Sequence, residues 1–550
     1  MPTDAYTLNQ SYTSATRKSV EWGVKKRNNM KVIDSQNGSY SGNVSSFDLS
    51  SISNSGLWLD WASTEFVCPI TIEVDRAQGT SDIEENRFLA CLKSNYALVD
   101  SISLTMSGFP VINQQKMNCG LVAYEMAKSW SKEDYERSSR FGMSFEDATQ
   151  FQIGATGSPY SVGGVSSTSV LDFDPSATSV PNHMLGQKNA KPNLGRKARC
   201  EQTYYPSTEM GTLKDVANVA VERRSYMESN TPTKQVFYIN ARMSLAHLHS
   251  YFRTAVLSRN GLYRLEFYLN LATKTDIVME GGATALDGTA KDKSYKTVTT
   301  TTSNQYNPLS LGSLAAYDGC GPMADTEKAM TINMKVTNPH ESACFLNVSL
   351  IDLSVGAIET YIAEPIKSWE YEKHLFRDYG PIGAGDPATL QLSANMSRVL
   401  KIIMLPYYTN KEIANASSDL LSPFVSVGSN TLTSVGASVS QLQCQISGVN
   451  LYQNAITEYK DLYDMFKVHT LNNGVDTAIN TSPVNMEQFQ TGYGAIVIDC
   501  TKGQKESDFD LSKSYNLTWV NNTKKECRYL TYLVYSGVIS QNVETGEIIV

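Results

Sequence analysis

The chain has 550 residues, which exceeds one hydrophobic core, so at least two domains are expected. It carries 47 basic and 55 acidic residues, and this net charge of −8 argues against a protein that coats nucleic acid over its whole surface. No amino-terminal apolar segment precedes a cleavage site and no apolar run approaches a membrane span, so neither a secretory signal nor a transmembrane helix is expected.

The first fifty residues are polar, show little periodicity and contain a group of cations. These are Arg17, Lys18, Lys25, Lys26, Arg27 and Lys31. We expect residues 1–50 to form a partly flexible basic arm. A solvated terminus fits this composition, and so does an arm that contacts neighbouring subunits, a membrane or nucleic acid.

Two apolar alternations follow the arm. Phe66, Cys68, Ile70, Ile72 and Val74 alternate with other residues and predict a strand that Pro69 interrupts. Ile102, Leu104 and Met106 predict a second strand, which ends at Ser107-Gly108. The spacing of Val122, Met126 and Trp130 predicts a one-sided helix after this turn.

Long loops are expected in the middle of the chain. Residues 152–182 and 276–325 are rich in Gly, Ser, Thr, Ala and Asp and lack apolar periodicity. We expect loop insertions over about 145–235 and 276–335, which loops tolerate because closure entropy rises slowly with length. Strands are expected between and after them, at 263–269 and 345–351.

The same sequence of elements recurs near the carboxyl end. The apolar run 399–405 ends at Pro406, and Leu442, Cys444 and Ile446 alternate up to Ser447-Gly448. Ile456, Tyr459, Tyr463 and Phe466 then follow at helical spacing, with strands expected around 515–519 and 529–535.

The spacing of the two copies supports a duplication. Gly108 and Gly448 are 340 residues apart, and the strand prolines Pro69 and Pro406 precede them by 39 and 42 residues. We therefore predict two copies of one all-β module, over 51–365 and 366–550. A charged fraction of 19%, 30 tyrosines and short alternating strands are typical of β sandwiches and barrels.

Residues for catalysis or metal binding are not evident. The sequence has no phosphate-binding loop, nucleophile elbow or zinc-protease motif. His247-Leu248-His249 lies in a segment, 244–252, that reads as a short helix, where residues i and i+2 do not share a face. The nine cysteines form no C-x-x-C pair, so buried reduced thiols are expected. We expect no enzyme activity and no cofactor.

The order and duplication of these segments resemble the double jelly-roll major capsid proteins of virophages, polinton-like viruses and polintons, in the lineage of the adenovirus hexon. The resemblance spans about residues 55–550. It is carried by the proline strand 64–74, the strand to Gly108, the segment 118–134, the segment 244–252 and the strand from Tyr263. It implies an all-β chain of two tandem eight-stranded jelly rolls with short helices and long loop insertions.

The resemblance also implies a function. The chain would form homotrimers, pseudo-hexagonal capsomers that tile the icosahedral shell of a virion assembled inside the host cell. Its partners would be other capsomers, penton and minor capsid proteins. The basic arm would point inward, toward the genome, an internal membrane or a minor capsid protein.

Other classes of protein share parts of this pattern. A carbohydrate-binding or cell-surface β-sandwich protein has a similar composition, but a signal peptide, disulfides or a sugar site is then expected. A glycoside-processing enzyme on a jelly roll needs two carboxylates in a cleft, which sequence does not reveal. A minor capsid or spike protein is the alternative within viruses.

Overall fold

The structure is a computed structural model. It describes residues 23–36, 40, 43–53, 55–76, 88–92, 95–116, 121–122, 124–125, 161–162, 165–166, 203–204, 226–227, 234–271, 275–280, 294–300, 309–313, 329–339, 341–408, 439–470, 489, 495–501, 511–522 and 526–549.

Eight strands form the first roll. In chain order they are β1 Val24–Ile33, β2 Val44–Asp48, β3 Trp58–Arg76, β4 Val99–Met106, β5 Phe109–Lys116, β6 Lys234–Ser244, β7 Tyr263–Leu269 and β8 Phe345–Leu353. They build two antiparallel sheets whose strand orders are β1-β8-β3-β6 and β2-β7-β4-β5. Each sheet therefore pairs strands that are distant in the chain, as in a jelly roll.

Eight further strands form the second roll. They are β9 Ile366–Ile382, β10 Pro387–Met396, β11 Val399–Tyr408, β12 Val439–Ile446, β13 Val449–Asn450, β14 Ile496–Asp499, β15 Lys513–Asn521 and β16 Cys527–Asn542. Their sheets have the orders β9-β16-β11-β14 and β10-β15-β12-β13, which repeat the first roll strand for strand. The predicted duplication and the all-β double jelly-roll fold are confirmed.

Helices are short and lie in the connections. They are α1 Ser50–Ser53, the 3-10 helix Asn95–Leu98, α2 Leu245–Leu248, α3 Ser250–Thr254, α4 Val355–Ile362 and α5 Tyr459–Thr470. Additional strands are Phe88–Leu92, Ser161–Val162, Val165–Ser166, Thr203–Tyr204, Tyr226–Met227, Thr275–Glu280, Ser294–Thr300, Leu309–Ser313, Ala329–Lys335 and Ile548–Ile549. Helix α4 connects the two rolls.

The two predicted turns adopt the same conformation. Ser107 and Gly108 have φ values of 47° and 84°, and Ser447 and Gly448 have φ values of 49° and 84°. Two successive positive φ values are typical of the type I′ turn, which joins adjacent antiparallel strands.

The helix predicted from Tyr459, Tyr463 and Phe466 is confirmed as α5 Tyr459–Thr470. Of the helix predicted from Val122, Met126 and Trp130, the last two residues lie outside the described residues. Neither predicted helix follows its turn directly. β5 and β13 come first, because their partly apolar residues pair with β4 and β12.

The strand prolines both lie on the third strand of their roll. Pro69 on β3 is opposite Asn240, and on the other side of β3 the partner changes between Val67 and Thr71. Pro406 on β11 is opposite Tyr529 and lies beyond the stretch that pairs with β14. Each proline thus occupies a site with a ladder partner on one side, where a missing N–H is tolerated.

The expected limits of the arm and of one insertion need correction. β1 pairs with β8 along Val24–Ile33, and β2 pairs with β7, so the first roll begins within the predicted arm 1–50. The insertion predicted at 276–335 contains Ser294–Thr300 and Ala329–Lys335, which together with Thr275–Glu280 extend the first sheet. Polar β1 was missed because an edge strand exposes most of its side chains. Most of 145–235 lies outside the described residues.

Buried apolar side chains of both rolls form one connected core. Phe47, Phe66 and Phe267 pack in the first roll, where the rings of Phe66 and Phe267 stack with centroids 4.1 Å apart. Trp519 packs on Tyr529 in the second roll at 5.0 Å. Five cysteines within the described part of the chain are buried free thiols, as predicted: Cys68, Cys344, Cys444, Cys500 and Cys527.

Candidate functional site at the contact between the rolls

The contact between the two rolls begins where β9 passes α3. The Ser250 hydroxyl donates to the backbone carbonyl of Glu372 over 2.9 Å, and the backbone N–H of Glu372 donates to the same hydroxyl over 2.8 Å. The hydroxyl of Tyr371, the residue before Glu372 on β9, donates to the carbonyl of Val111 on β5 over 3.1 Å. These hydrogen bonds fix the position of β9 in the second roll relative to α3 and β5 in the first.

Aromatic rings fill the space behind these hydrogen bonds. Tyr251 of α3 is buried, and its ring centroid lies 5.5 Å from that of Tyr371 and 6.1 Å from that of Trp369. The pair with Tyr371 is edge to face, a favourable arrangement for aromatic rings. Both partners lie on β9, so the first strand of the second roll contributes core to the first.

A buried ammonium group links both rolls. Lys401 on β11 is 5% exposed, and its Nζ lies 3.1 Å from Oε1 of Glu372 and 3.8 Å from Oε1 of Glu125 in the first roll. Burial by itself would lower the pKa of Lys401, but Glu125, Tyr124 and Glu372 outweigh it and the pKa is raised. The side chain is therefore a permanent cation that holds two carboxylates from different rolls.

Three histidines line a small cavity next to this cation. His247 and His249 come from the α2–α3 segment and His374 from β9, and Glu125, Glu372 and Arg253 complete its charged lining. The ring centroids of His249 and His374 are 5.8 Å apart at 90°. Nδ1 of His249 accepts from the backbone N–H of Tyr251 over 3.1 Å.

Burial keeps these imidazoles neutral. It lowers the pKa of His247 to about 4, with a smaller contribution from Arg253. It also lowers the pKa of His249 well below its usual range, with His374 as the next cause, and lowers that of His374. At neutral pH the cavity thus holds three neutral rings between balanced charges.

A second contact surrounds the connecting helix α4. The ring of Tyr361 packs edge to face on Trp58 with centroids 5.3 Å apart, and its hydroxyl donates to the carbonyl of Leu257 over 2.9 Å. Arg259 donates to Glu544 near the carboxyl end over 2.7 Å. The end of the second roll is therefore fastened to the loop that precedes β7.

Few of the residues singled out from the sequence meet at this contact. Gly108, Gly448, Pro69 and Pro406 shape strands and turns of their own rolls. Lys25, Lys26, Arg27 and Lys31 lie on edge strand β1, where Lys31 pairs with Glu341 over 2.6 Å; Arg17 and Lys18 lie outside the described residues.

The sequence pattern missed the central cation. The one signal was a lysine, Lys401, inside the apolar run 399–405, because a charged residue in a buried strand requires a partner. The pair His247 and His249 was predicted as helical, whereas the structure interrupts the helix at His249, which caps α3 in an extended conformation.

The described residues contain no cluster of His, Cys, Asp and Glu suited to a metal ion. Within the same part of the chain, no helix has the length and apolar character needed to cross a bilayer.

Comparison with known proteins finds the likeness in structure rather than in sequence. Neither a protein-family model nor a curated protein sequence matches the chain. A chain of the cryo-EM structure of the Sputnik virophage is 13% identical and superposes with a TM-score of 0.52, covering 96% of this chain and 89% of that one. The mavirus major capsid protein is 9% identical with a TM-score of 0.44, covering 97% and 91%. The likeness to the Sputnik chain shows a shared fold over nearly the whole length.

Proposed function

We propose that this chain is the major capsid protein of an icosahedral virus and that it assembles as a homotrimer into pseudo-hexagonal capsomers. The observation that carries the proposal is the complete duplication: two eight-stranded rolls with the same strand order stand in one chain. Three such chains would place six similar rolls in a ring, which a threefold axis closes. The full-length likeness to a virophage chain supports the same arrangement.

The contact between the rolls supports this function physically. A ring of six rolls needs a fixed arrangement of the two rolls within each chain. A rotation of one roll relative to the other would occur in all three chains, and the ring would then not close. Hydrogen bonds from Ser250 and Tyr371 and the ion pair of the buried Lys401 with Glu125 supply such a geometry. A buried charge loses its counter-ion if the rolls shift against each other, so we infer that the Lys401 contact disfavours other arrangements of the two rolls.

The remaining partners follow from the same proposal. Capsomers would contact each other through their outer walls, and penton and minor capsid proteins would complete the shell of a virion built in the host cell. The amino-terminal segment would face inward, toward the genome, an internal membrane or a minor protein. Because β1 belongs to the first roll, this role falls to residues 1–22, with Arg17 and Lys18, more than to Lys25, Lys26, Arg27 and Lys31.

The test is the mass and outline of the purified full-length chain. Multi-angle light scattering should give three times 60.6 kDa, and negative-stain microscopy should show particles with a hexagonal outline. A stable monomer with two lobes would contradict the proposal.

A further inference from the structure

Two buried thiols contact each other in the sheet β1-β8-β3-β6 of the first roll. Cys68 lies on β3, Cys344 directly precedes β8, and both side chains are fully buried. The Sγ atom of Cys344 donates to the Sγ atom of Cys68 over 3.5 Å. The two residues are 276 positions apart in the chain, so the fold alone brings their thiols together.

The strand register places these cysteines opposite each other. Phe345 is opposite Val67 and Leu346 is opposite Phe66, so the next pair along this antiparallel ladder is Cys344 and Cys68. Directly opposed residues have Cα atoms about 4.5–5.5 Å apart, within the range of about 4.4–6.8 Å that a disulfide requires. The two strands therefore already have the spacing that a disulfide needs.

Hydrogen bonds hold the backbone of Cys344 in this position. Its N–H donates to the Tyr40 hydroxyl over 2.6 Å, and its carbonyl accepts from the N–H of Asp34 over 3.1 Å. The backbone of Cys344 is thus bonded to groups other than Cys68. This is the situation of a non-hydrogen-bonded pair in a ladder, where opposed side chains approach most closely.

The surroundings of the pair suppress its ionisation. The hydrogen bond with Cys344 and burial raise the pKa of Cys68 well above its ordinary range, and Asp34 acts in the same direction. Because the thiolate is the reactive form, the pair reacts slowly at neutral pH. Both cysteines therefore persist as thiols in a reducing compartment.

We propose that Cys68 and Cys344 form a redox-sensitive site, which hydrogen peroxide oxidises to a disulfide between β3 and the start of β8. The thiolate of one cysteine attacks a peroxide oxygen, which gives a sulfenic acid and releases hydroxide. The thiolate of the other cysteine then attacks the sulfenic sulfur, forms the S–S bond and expels a second hydroxide. The two hydroxides take up the two thiol protons. Two thiols are thus oxidised, and one peroxide is reduced to two water molecules.

The contact geometry favours the disulfide over other products of oxidation. A sulfenic acid on either cysteine has the second sulfur close by, so disulfide formation competes well with further oxidation to the sulfinic acid. The sulfurs have to approach to about 2 Å, which rotation of the two side chains supplies. Hydrogen peroxide is close to water in size, so it reaches a buried pair more easily than a bulky disulfide such as oxidised glutathione.

A second thiol contact in the other roll provides an internal comparison. Cys444 on β12 is hydrogen-bonded to Cys500, which follows β14, and Cys500 also donates to the carbonyl of Ile498 over 3.8 Å. β12 and β14 belong to different sheets, so these two cysteines are not opposed in one ladder. We therefore expect Cys68 and Cys344 to form a disulfide first.

The disulfide would stabilise the first roll. It closes a loop between residues 276 positions apart, which restricts the unfolded chain. A thiol reductant would open it again, so the stability of the roll would follow the redox state of its surroundings. The proposal is independent of the capsid role.

The test is peptide mapping of the folded full-length protein after oxidation. The reduced protein is desalted, treated with hydrogen peroxide at about pH 8, blocked with N-ethylmaleimide in denaturant and digested without reduction. Mass spectrometry should find the peptides of Cys68 and Cys344 joined with the loss of two hydrogen atoms. The rate of this reaction should rise about tenfold for each pH unit, because the thiolate fraction rises by that factor.

The disulfide should also raise the temperature of unfolding by several degrees, and dithiothreitol should reverse the rise. Cys68→Ala and Cys344→Ala should each lose both the cross-link and this rise. Cys527→Ala is the matched control, because Cys527 is buried at the start of β16, the strand that corresponds to β8. It should retain both effects.

Three results would overturn the proposal. The first is that Cys68 and Cys344 remain thiols after peroxide treatment of the folded protein. The second is their conversion to sulfinic acids without a cross-link. The third is a rise in the unfolding temperature that persists in Cys344→Ala, which would assign the effect to another pair such as Cys444 and Cys500. Circular dichroism and thermal unfolding of each reduced variant identify any loss of fold.

Discussion

The two rolls have the same topology but differ in which of their strands are extended. The first, residues 24–353, lengthens its sheet with strands from the connection between β7 and β8, whereas the second, residues 366–542, has a four-residue β14. The second instead extends β9 and β16 beyond the start of β11, and that extension carries Trp369 and Tyr371 to the first roll. Sixteen core strands thus fix the fold, while loops and strand ends are free to specialise.

The largest effect is expected from breaking the cation that joins the rolls. Lys401→Ala removes a buried ammonium group and leaves the half-buried carboxylates of Glu372 and Glu125 without their counter-ion, which costs about 3 kcal/mol of the free energy of unfolding. Arg528→Ala is the control, since Arg528 pairs with Asp378 within the second roll. It should cost about 1 kcal/mol, as expected for a partly exposed pair. Chemical denaturation measures both, and equal costs would contradict a special role of the contact.

The rolls can next be compared through equivalent core residues. Leu265 on β7 and Leu517 on β15 are both fully buried and occupy corresponding strands. Leu265→Ala and Leu517→Ala should each cost about 2–5 kcal/mol because of lost apolar contact and the cavity left behind. If the core is shared, differential scanning calorimetry should show one transition in both variants. Two separated transitions would show that the rolls unfold independently.

Acid should weaken the contact between the rolls. The pKa of His247 is about 4 in the folded chain against an ordinary 6.5, so the unfolded chain takes up a proton first as pH falls. The stabilisation is complete above pH 6.5 and declines toward pH 4, and His247 alone accounts for about 2 kcal/mol at pH 5. His249 acts in the same direction. Thermal unfolding between pH 7 and 5 should show a fall of several degrees, and His247→Gln should flatten it. An unchanged slope in that variant would refute this origin.

The smallest expected effects concern the duplicated turns. An added Cβ at Gly108 or Gly448 meets no neighbouring atom within 4 Å, so substitution acts through the backbone alone. Gly108→Val and Gly448→Val should each cost about 1–2 kcal/mol because φ near +84° disfavours side chains. Asn tolerates this region better, so Gly108→Asn and Gly448→Asn should cost less. Equal melting temperatures for Val and Asn variants would argue against backbone strain.

Apolar periodicity in the sequence predicted the strands that bury one face in their own roll. It did not reveal strands whose side chains are exposed or are half-buried against the other roll. β4, β7, β12 and β15 were visible because their residues alternate between core and solvent. β1 was hidden by its exposed polar side chains, and β9 by residues half-buried against the other roll. The site at Lys401 requires contacts between residues hundreds of positions apart, which a local pattern does not contain.

The central claim is that each chain supplies two equivalent rolls to a ring of six. A cryo-EM reconstruction of the purified assembly at a resolution that separates strands tests it most directly. We predict a threefold particle with six eight-stranded rolls around its axis and with the Lys401 contact inside every chain. A ring built from any other number of rolls, or a particle in which the two rolls of one chain are separated, would contradict the account.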